Sequence, residues 1–183
     1  MFQNTNIDGL LIAHPRRHED ERGFFAETFR LSWLEDAGVT ARFVQENVAH
    51  SKRSGVLRGL HFQIAPSAQG KLVHAVRGTI FDVAGDLRPG SPTWGRHQAF
   101  ELSEHNLARL WIPAGFAHGY LTLVPDCVVG YMTTAYYDPA LERGLAFDDA
   151  DVGIAWPVPV SDMTISPKDR GLPSLAACTA GPF

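Results

Sequence analysis

Short runs of alternating apolar and polar residues, separated by turn residues, fill most of this 183-residue chain. Such runs are typical of β-strands that are buried on one face. Turn signals stand at Arg77-Gly78, at Arg88-Pro89-Gly90 and at Val124-Pro125-Asp126. The pattern predicts strands at residues 10–13, 24–29, 43–51, 57–63, 71–76, 79–86, 97–102, 108–112, 119–124 and 128–136. Because helices do not alternate with these strands, we expect an all-β sandwich or barrel.

Two stretches depart from the alternating pattern. Between residues 31 and 37, apolar side chains recur at helical spacing and Gly38 follows as a C-cap, which predicts one short helix. From about residue 155 the prolines argue against helix or central strand, also in Ser166-Pro167-Lys168-Asp169. We therefore expect residues 1–183 to form one domain that ends in an extended, wrapping tail.

Composition narrows the classes of function. A net charge of −4 and a pI near 6.0 argue against a nucleic-acid-binding surface. No apolar run reaches the ~20 residues of a membrane span, and the first residues lack the basic and apolar regions of a signal peptide. Cys127 and Cys178 do not make the disulfide framework of a small secreted domain. We expect a cytoplasmic protein that binds neither nucleic acid nor membrane.

The strongest chemical signal lies in Leu57-Arg58-Gly59-Leu60-His61-Phe62-Gln63. Strict alternation would put Arg58 and His61 on opposite faces of a strand, so a bulge or twist near Gly59 must bring both to one site. There, an anion-binding guanidinium would lie beside an imidazole that titrates near neutral pH.

A second run, Pro113-Ala114-Gly115-Phe116-Ala117-His118, resembles the second motif of the cupin superfamily, a small double-stranded β-helix barrel. The first cupin motif usually supplies two histidines and a glutamate as metal ligands. Here its place holds His61-Phe62-Gln63, and Lys71 follows. Since an ammonium group repels a divalent cation, we expect a jelly-roll pocket that works without metal or other cofactor.

These residue types suit proton abstraction next to a carbonyl. His61 would act as the base, and Lys71 or His118 would stabilise the enolate oxygen. A carboxylate would orient His61, and both Asp82 and Asp169 are candidates. A tyrosine on the opposite face, such as Tyr131, would return a proton and invert the centre.

At this point the chain resembles, over nearly its whole length, the dTDP-4-dehydrorhamnose 3,5-epimerase family of nucleotide-sugar metabolism. Several separate motifs in the right order carry the resemblance, which makes it far more specific than any single motif. They lie at residues 20–27, 45–47, 55–63, 81–88, 112–119, 131–137 and 166–169. The resemblance implies a mainly β, cupin-like double-stranded β-helix (a jelly-roll barrel) with a few short helices.

The resemblance also implies roles for individual residues. His61 would accept the proton with Asp169 as its orienting group, Tyr131 would donate, and Lys71 would stabilise the enolate. Tyr137 would stack on thymine. The other residues expected to touch the nucleotide sugar are Arg22, Phe25, Glu27, Gln45, Asn47, Arg58, His118, Glu142 and Lys168. Residues near Arg22 often serve the partner subunit's site in this family, so a homodimer is expected.

The expected reaction converts dTDP-4-dehydro-6-deoxy-D-glucose to dTDP-4-dehydro-L-rhamnose by inversion at carbons 3 and 5, within the biosynthesis of dTDP-rhamnose and of cell-surface polysaccharide. Three alternatives stay open at the level of sequence. A mono-epimerase or ketoisomerase for a related nucleotide deoxysugar would share most of these motifs. A metal-dependent cupin enzyme and a nucleotide-sugar-binding module without turnover are the other two.

Overall fold

The structure, a computed structural model, describes residues 1–178, 181 and 183. Strands dominate this part of the chain, which confirms the prediction of a mainly β, cupin-like fold. The strands are β1 (Gln3–Asn4), β2 (Leu11–Ala13), β3 (His18–Asp20), β4 (Gly23–Phe25), β5 (Gln45–Ser51), β6 (Val56–Gln63), β7 (Lys71–Arg77), β8 (Thr79–Asp86), β9 (His97–Ser103), β10 (Arg109–Ile112), β11 (Phe116–Thr122), β12 (Cys127–Thr133), β13 (Glu142–Gly144) and β14 (Thr164–Ile165). The helices are α1 (Leu31–Glu35) and α2 (Pro167–Arg170), and 3₁₀ turns lie at Val160–Asp162 and Leu175–Ala177. Neither α-helix is long and apolar enough to cross a membrane.

Two sheets form the body of the fold. The first has the order β1-β2-β10-β7-β12-β5, and the second has the order β13-β6-β11-β8-β9 with β14 added in parallel to β6. Within the described part of the chain, strands β3 and β4 pair only with each other, as a separate hairpin. Most neighbours in a sheet are distant in sequence, so residues from the middle and the end of the chain meet in one place.

Apolar side chains from both sheets pack against each other inside the barrel. The largest fully buried members of this inner core include Val73 on β7, Ile80 on β8, Leu102 on β9 and Leu110 on β10. Alternation along each strand supplies this inward-facing set, which is the pattern expected of a closed two-sheet packing. The inner core occupies only part of the barrel and leaves the remainder to polar side chains.

The outer faces of the two sheets are covered by different segments. Helix α1 lays Leu34 against Trp111 and Leu72 on the first sheet. In the C-terminal segment, Met163 packs in the same buried apolar cluster as Val83 of β8 and Leu121 of β11 in the second sheet.

The tail corrects one sequence prediction. The stretch Ser166-Pro167-Lys168-Asp169 was expected to be non-helical, but Pro167 begins the short helix α2. Proline is well tolerated at the first helical position, where its missing N–H has no intrahelical partner. Ser166 is the N-cap, and its side-chain oxygen accepts a hydrogen bond from the Asp169 N–H at 3.0 Å. Helix α2 thus fixes the place of the Asp169 carboxylate.

Candidate active site

Two adjoining cavities open between the sheets. The larger, which we call the inner cavity, has a volume of about 520 Å³. The smaller, which we call the outer cavity, has a volume of about 330 Å³. His61, Lys71 and Tyr131 line both, so the two predicted proton-transfer groups and the predicted oxyanion group lie at their junction.

Arg58 and His61 both face the inner cavity because β6 is irregular between them. Its pairing with β11 shifts register, since His118 lies opposite His61 but Tyr120 lies opposite Arg58. Gly59 sits in this irregularity with φ of 117°, and a Cβ there would lie 2.6 Å from the Gly119 Cα. Only glycine fits such a close approach of two backbones. The predicted bulge near Gly59 is therefore confirmed.

His61 is held by a buried carboxylate. Its Nε2 lies 2.7 Å from Asp169 Oδ1, and Asp169 is only 5% exposed. Burial alone would raise the pKa of Asp169, but the hydrogen bond and charge of His61, together with hydrogen bonds from Ser166 and the Gly59 backbone, outweigh it and hold that pKa below its ordinary value. Asp169 is thus an anion that fixes the orientation of the His61 ring.

Asp82, the other candidate carboxylate for His61, contacts a different histidine. Its two oxygens lie 3.1 and 2.9 Å from Nε2 of His118, and Asp82 is completely buried. Asp169 is therefore the partner of His61, and Asp82 is the partner of His118. Both imidazoles line the inner cavity.

Lys71 is buried at the start of β7, where its side chain is directed into both cavities. Its Nζ donates a hydrogen bond to the His61 carbonyl oxygen at 3.1 Å. Burial lowers the pKa of Lys71 to about 8, although the charges of Asp82 and Glu142 oppose this. A desolvated ammonium group acts strongly on an oxyanion that forms beside it.

Tyr131 comes from β12, in the sheet opposite the one that supplies His61. It is half-buried and lines both cavities. Burial raises its pKa, so the phenol is protonated near neutral pH and can donate. The predicted base and the predicted donor therefore approach the junction of the cavities from opposite sheets.

Polar groups and one aromatic ring surround the outer cavity. Gln45 donates from Nε2 to Asn47 Oδ1 at 2.9 Å, and its Oε1 accepts the Tyr137 N–H at 3.0 Å. The Tyr137 hydroxyl donates to Glu142 at 2.9 Å, and Lys168 pairs with the same carboxylate. The cavity thus offers amide groups beside an exposed phenol ring, which suits a planar, hydrogen-bonding ligand.

The structure does not bring Arg22, Phe25 and Glu27 to the cavities of their own chain. Arg22 pairs with Asp20 within the hairpin, and Glu27 pairs with Arg30 at 2.7 Å. Phe25 is 72% exposed. The other predicted site residues line the cavities, so these three form a separate, outlying group.

Tyr120 lines the inner cavity but was not predicted as a site residue. It follows His118 by two positions on β11, so simple alternation would have put both on one face. An aromatic residue in an apolar strand is typical of core packing, so the sequence pattern did not indicate Tyr120 as a site residue. Its hydroxyl is buried and has no hydrogen-bond partner among the described residues.

The donor set does not resemble a metal site. Within the described residues, no three His, Cys, Asp or Glu side chains are grouped closely enough to hold a metal ion. His61 and His118 are each turned to a carboxylate, and the ammonium of Lys71 lies beside them. Such a set is suited to moving protons rather than to ligating a cation.

A cupin-like barrel with these groups around two adjoining cavities is typical of an enzyme that moves protons. The family model described as dTDP-4-dehydrorhamnose 3,5-epimerase matches residues 4–177. The chain belongs to this family, which confirms the sequence prediction of the family and of an isomerase.

Individual proteins that are similar to this chain carry the name of the same family. A dTDP-4-dehydrorhamnose 3,5-epimerase of Sinorhizobium fredii is 47% identical over 95% of this chain and 89% of its own length. One of Methanothermobacter thermautotrophicus is 48% identical over 92% of this chain and 91% of its own length. The structure of a dTDP-6-deoxy-D-glucose-3,5-epimerase from Legionella pneumophila, in complex with dTDP-4-keto-L-rhamnose, superposes with a TM-score of 0.93, at 41% identity, covering 100% of this chain and 98% of that one. These relatives support the predicted epimerisation and not the alternatives.

Proposed function

We propose that this protein inverts carbons 3 and 5 of dTDP-4-dehydro-6-deoxy-D-glucose without a cofactor, and that the product is dTDP-4-dehydro-L-rhamnose. The observation that carries the proposal is the His61–Asp169 pair, which faces Tyr131 across a cavity that also holds the buried Lys71. The 4-ketone of the substrate acidifies the hydrogens on both neighbouring carbons. The reaction therefore needs only a base, an acid and a stabiliser of negative charge.

Each inversion takes two proton transfers. His61 removes the hydrogen from carbon, and the electron pair moves to the ketone oxygen as an enolate. Asp169 stabilises the imidazolium that results, because it is a buried anion in contact with the ring. Tyr131 then gives its proton to the same carbon from the opposite face, and the electron pair of the enolate forms the new C–H bond. Exchange with water restores the neutral imidazole and the phenol.

Lys71 is the proposed stabiliser of the enolate oxygen. Its ammonium is fixed by the His61 carbonyl, so it does not have to reorganise when the charge develops. His118 is a second donor to the sugar, held in place by Asp82. The paired imidazole and the desolvated ammonium stabilise the negative charge that develops on the ketone oxygen. This lowers the activation free energy of C–H cleavage.

The nucleotide would occupy the outer part of the site. Arg58, which is exposed and lines the inner cavity, is suited to the diphosphate. Tyr137 presents a ring face for thymine, and Gln45 and Asn47 supply amide groups for its polar edge. Glu142 and Lys168 form the wall next to this ring. The sugar would then reach the junction where His61 lies.

A homodimer would complete the site. Phe24 and Phe25 in the β3–β4 hairpin are 50% and 72% exposed, which is unusual for neighbouring large apolar side chains. The hairpin pairs with no other strand among the described residues. We propose that Arg22, Phe25 and Glu27 extend to the partner subunit's outer cavity and contact the nucleotide there.

The proposed compartment is the cytoplasm. Cys127 and Cys178 are free thiols, and free thiols are usual where the environment is reducing. Nucleic acid and membrane are not among the proposed partners.

Deuterium labelling tests the proposed reaction. The purified protein is incubated with dTDP-4-dehydro-6-deoxy-D-glucose in D₂O, and the sugar is followed by proton NMR. Solvent label at both carbons 3 and 5, with the L-rhamno product, supports the proposal. Label at one carbon only would identify a mono-epimerase. The absence of label, with the nucleotide still bound, would identify a binding module.

A further inference from the structure

The unpaired hydroxyl of Tyr120 is the least explained polar group near the site. Tyr120 is 4% exposed, and its Oη is buried without a hydrogen-bond partner among the described residues. Buried polar groups in native proteins almost always have a hydrogen-bond partner. A buried hydroxyl without one, next to a cavity, therefore indicates a partner that arrives with the ligand or forms during the reaction.

Tyr120 and Tyr131 reach the barrel interior from opposite sheets. Tyr120 lies on β11 of the second sheet and Tyr131 lies on β12 of the first. Both line the inner cavity, and Tyr131 packs against the inner core to which Tyr120 belongs. Hence the cavity has two phenols, of which the proposed reaction uses one.

We propose that Tyr120 is a positioning residue for Tyr131: its hydroxyl donates a hydrogen bond to the Tyr131 oxygen, directly or through one water, as that oxygen becomes a phenolate. The step moves no proton from Tyr120 and breaks no bond. It stabilises the charge left on Tyr131 after its proton has gone to carbon. The inference rests on the proposed function, because it assumes that Tyr131 is the donor.

The electrostatics of the cavity agree with this arrangement. Burial raises the pKa of both phenols, which makes a phenolate at Tyr131 unfavourable unless a donor or a cation supports it. Burial is the larger cause in each case, and the positive charge of Arg58 opposes it. Tyr120 therefore remains protonated and available as a donor. The charged and titratable groups that line the inner cavity beside the two phenols are Arg58, His61, Lys71, His118, Lys168 and Asp169, and the charges of Asp82, Cys127 and Glu142 also act on the phenols.

Tyr120→Phe removes the hydroxyl and keeps the ring that packs in the core. We expect kcat to fall about tenfold and KM to change by less than twofold, because the contact forms only as charge develops on Tyr131. The matched control is Tyr136→Phe, at a position that is 68% exposed, which should leave both constants unchanged. Thermal unfolding of both variants shows whether the fold is kept.

The pKa of Tyr131 is a readout that would not change if Tyr120 had only a structural role. The chain has 4 tyrosines, so each ring carbon that bears oxygen can be resolved by ¹³C NMR and assigned with Phe variants. Without substrate, the pKa of Tyr131 should rise by about one pH unit in Tyr120→Phe, since a hydrogen bond to the charged form has been lost. An unchanged titration together with unchanged kcat would overturn the proposal.

A double-mutant cycle separates this role from simple sugar binding. If Tyr120 acts through Tyr131, then Tyr120→Phe should have no further effect on solvent exchange at the sugar carbons when Tyr131 is already Phe. An equal loss in both backgrounds, or a change confined to KM, would contradict the proposal. Failure of the proposed function is distinguishable in the wild-type protein, which would then incorporate label at one carbon only or at neither.

Discussion

Replacing Lys71 by Met should make the protein more stable and less active. The ammonium of Lys71 is buried, and the fall of its pKa from 10.5 to about 8 means that the folded state disfavours the charged form. That fall corresponds to a cost of about 3 kcal/mol at pH 7. Methionine has a similar length and no charge, so it removes this cost. It also removes the hydrogen bond to the His61 carbonyl, which is worth about 1 kcal/mol. The expected net gain is about 2 kcal/mol.

The stability that Lys71→Met gains over the wild type should decrease as the pH rises. Between pH 8 and 10.5 the unfolded chain holds the Lys71 proton and the folded protein does not, so the wild-type stability rises with pH through this window. The advantage of methionine is therefore complete below pH 8. It should shrink by about 2 kcal/mol between pH 7 and 9.5.

Urea unfolding at pH 7 and pH 9.5 measures the effect, at one protein concentration because an oligomer's stability depends on it. Lys52→Met is the matched control, since Lys52 is exposed and its replacement should give no pH-dependent gain. Activity should fall at least about 100-fold, the usual cost of losing one preorganised oxyanion donor. If Lys71→Met is less stable than wild type at pH 7, or if its gain is the same at both pH values, the desolvated ammonium inferred for Lys71 is wrong.

Three further substitutions test other parts of the site. Asp169→Asn should lower kcat about 10- to 150-fold, because it replaces a charge-assisted hydrogen bond to His61 worth about 1.5–3 kcal/mol; a loss below threefold in steady-state kinetics would argue against the pairing. Gly59→Ala should lower the free energy of unfolding by at least about 2 kcal/mol, since its Cβ would lie 2.6 Å from the Gly119 backbone; unchanged urea unfolding would show that the β6 irregularity is not constrained there. Tyr137→Ala should weaken dTDP binding about tenfold in calorimetry, whereas Tyr136→Ala should not; equal affinities would remove Tyr137 from the nucleotide site.

Local pattern predicted most of the strands and the irregularity between Arg58 and His61, because both depend on residues close together in sequence. Alternation identified most of the strands, and the mismatch between Arg58 and His61 required the irregularity that the β6–β11 register shows. The short helix was predicted in the right place, although it ends at Glu35 rather than at residue 37. These features follow from periodicity and from glycine's backbone freedom.

Long-range placement was harder to predict. The choice between Asp82 and Asp169 depended on where the tail returns to β6, and Asp169 lies 108 positions after His61. Propensity alone made Pro167 a helix breaker, but its position as the first residue of α2 made it compatible with a helix. Tyr120 looked like ordinary core, since only the cavity beside it reveals that its hydroxyl is unpaired.

The central claim is that His61 removes a carbon-bound hydrogen and that Tyr131 returns one from the other face. Solvent exchange in D₂O by Tyr131→Phe and by His61→Asn, each read by NMR of the sugar, tests it most directly. We predict that Tyr131→Phe incorporates deuterium with the original configuration retained, because His61 can still remove a proton and return a deuteron on its own side. His61→Asn should incorporate none. Deuterium in the His61→Asn sugar, or inversion by Tyr131→Phe at the wild-type rate, would contradict the account.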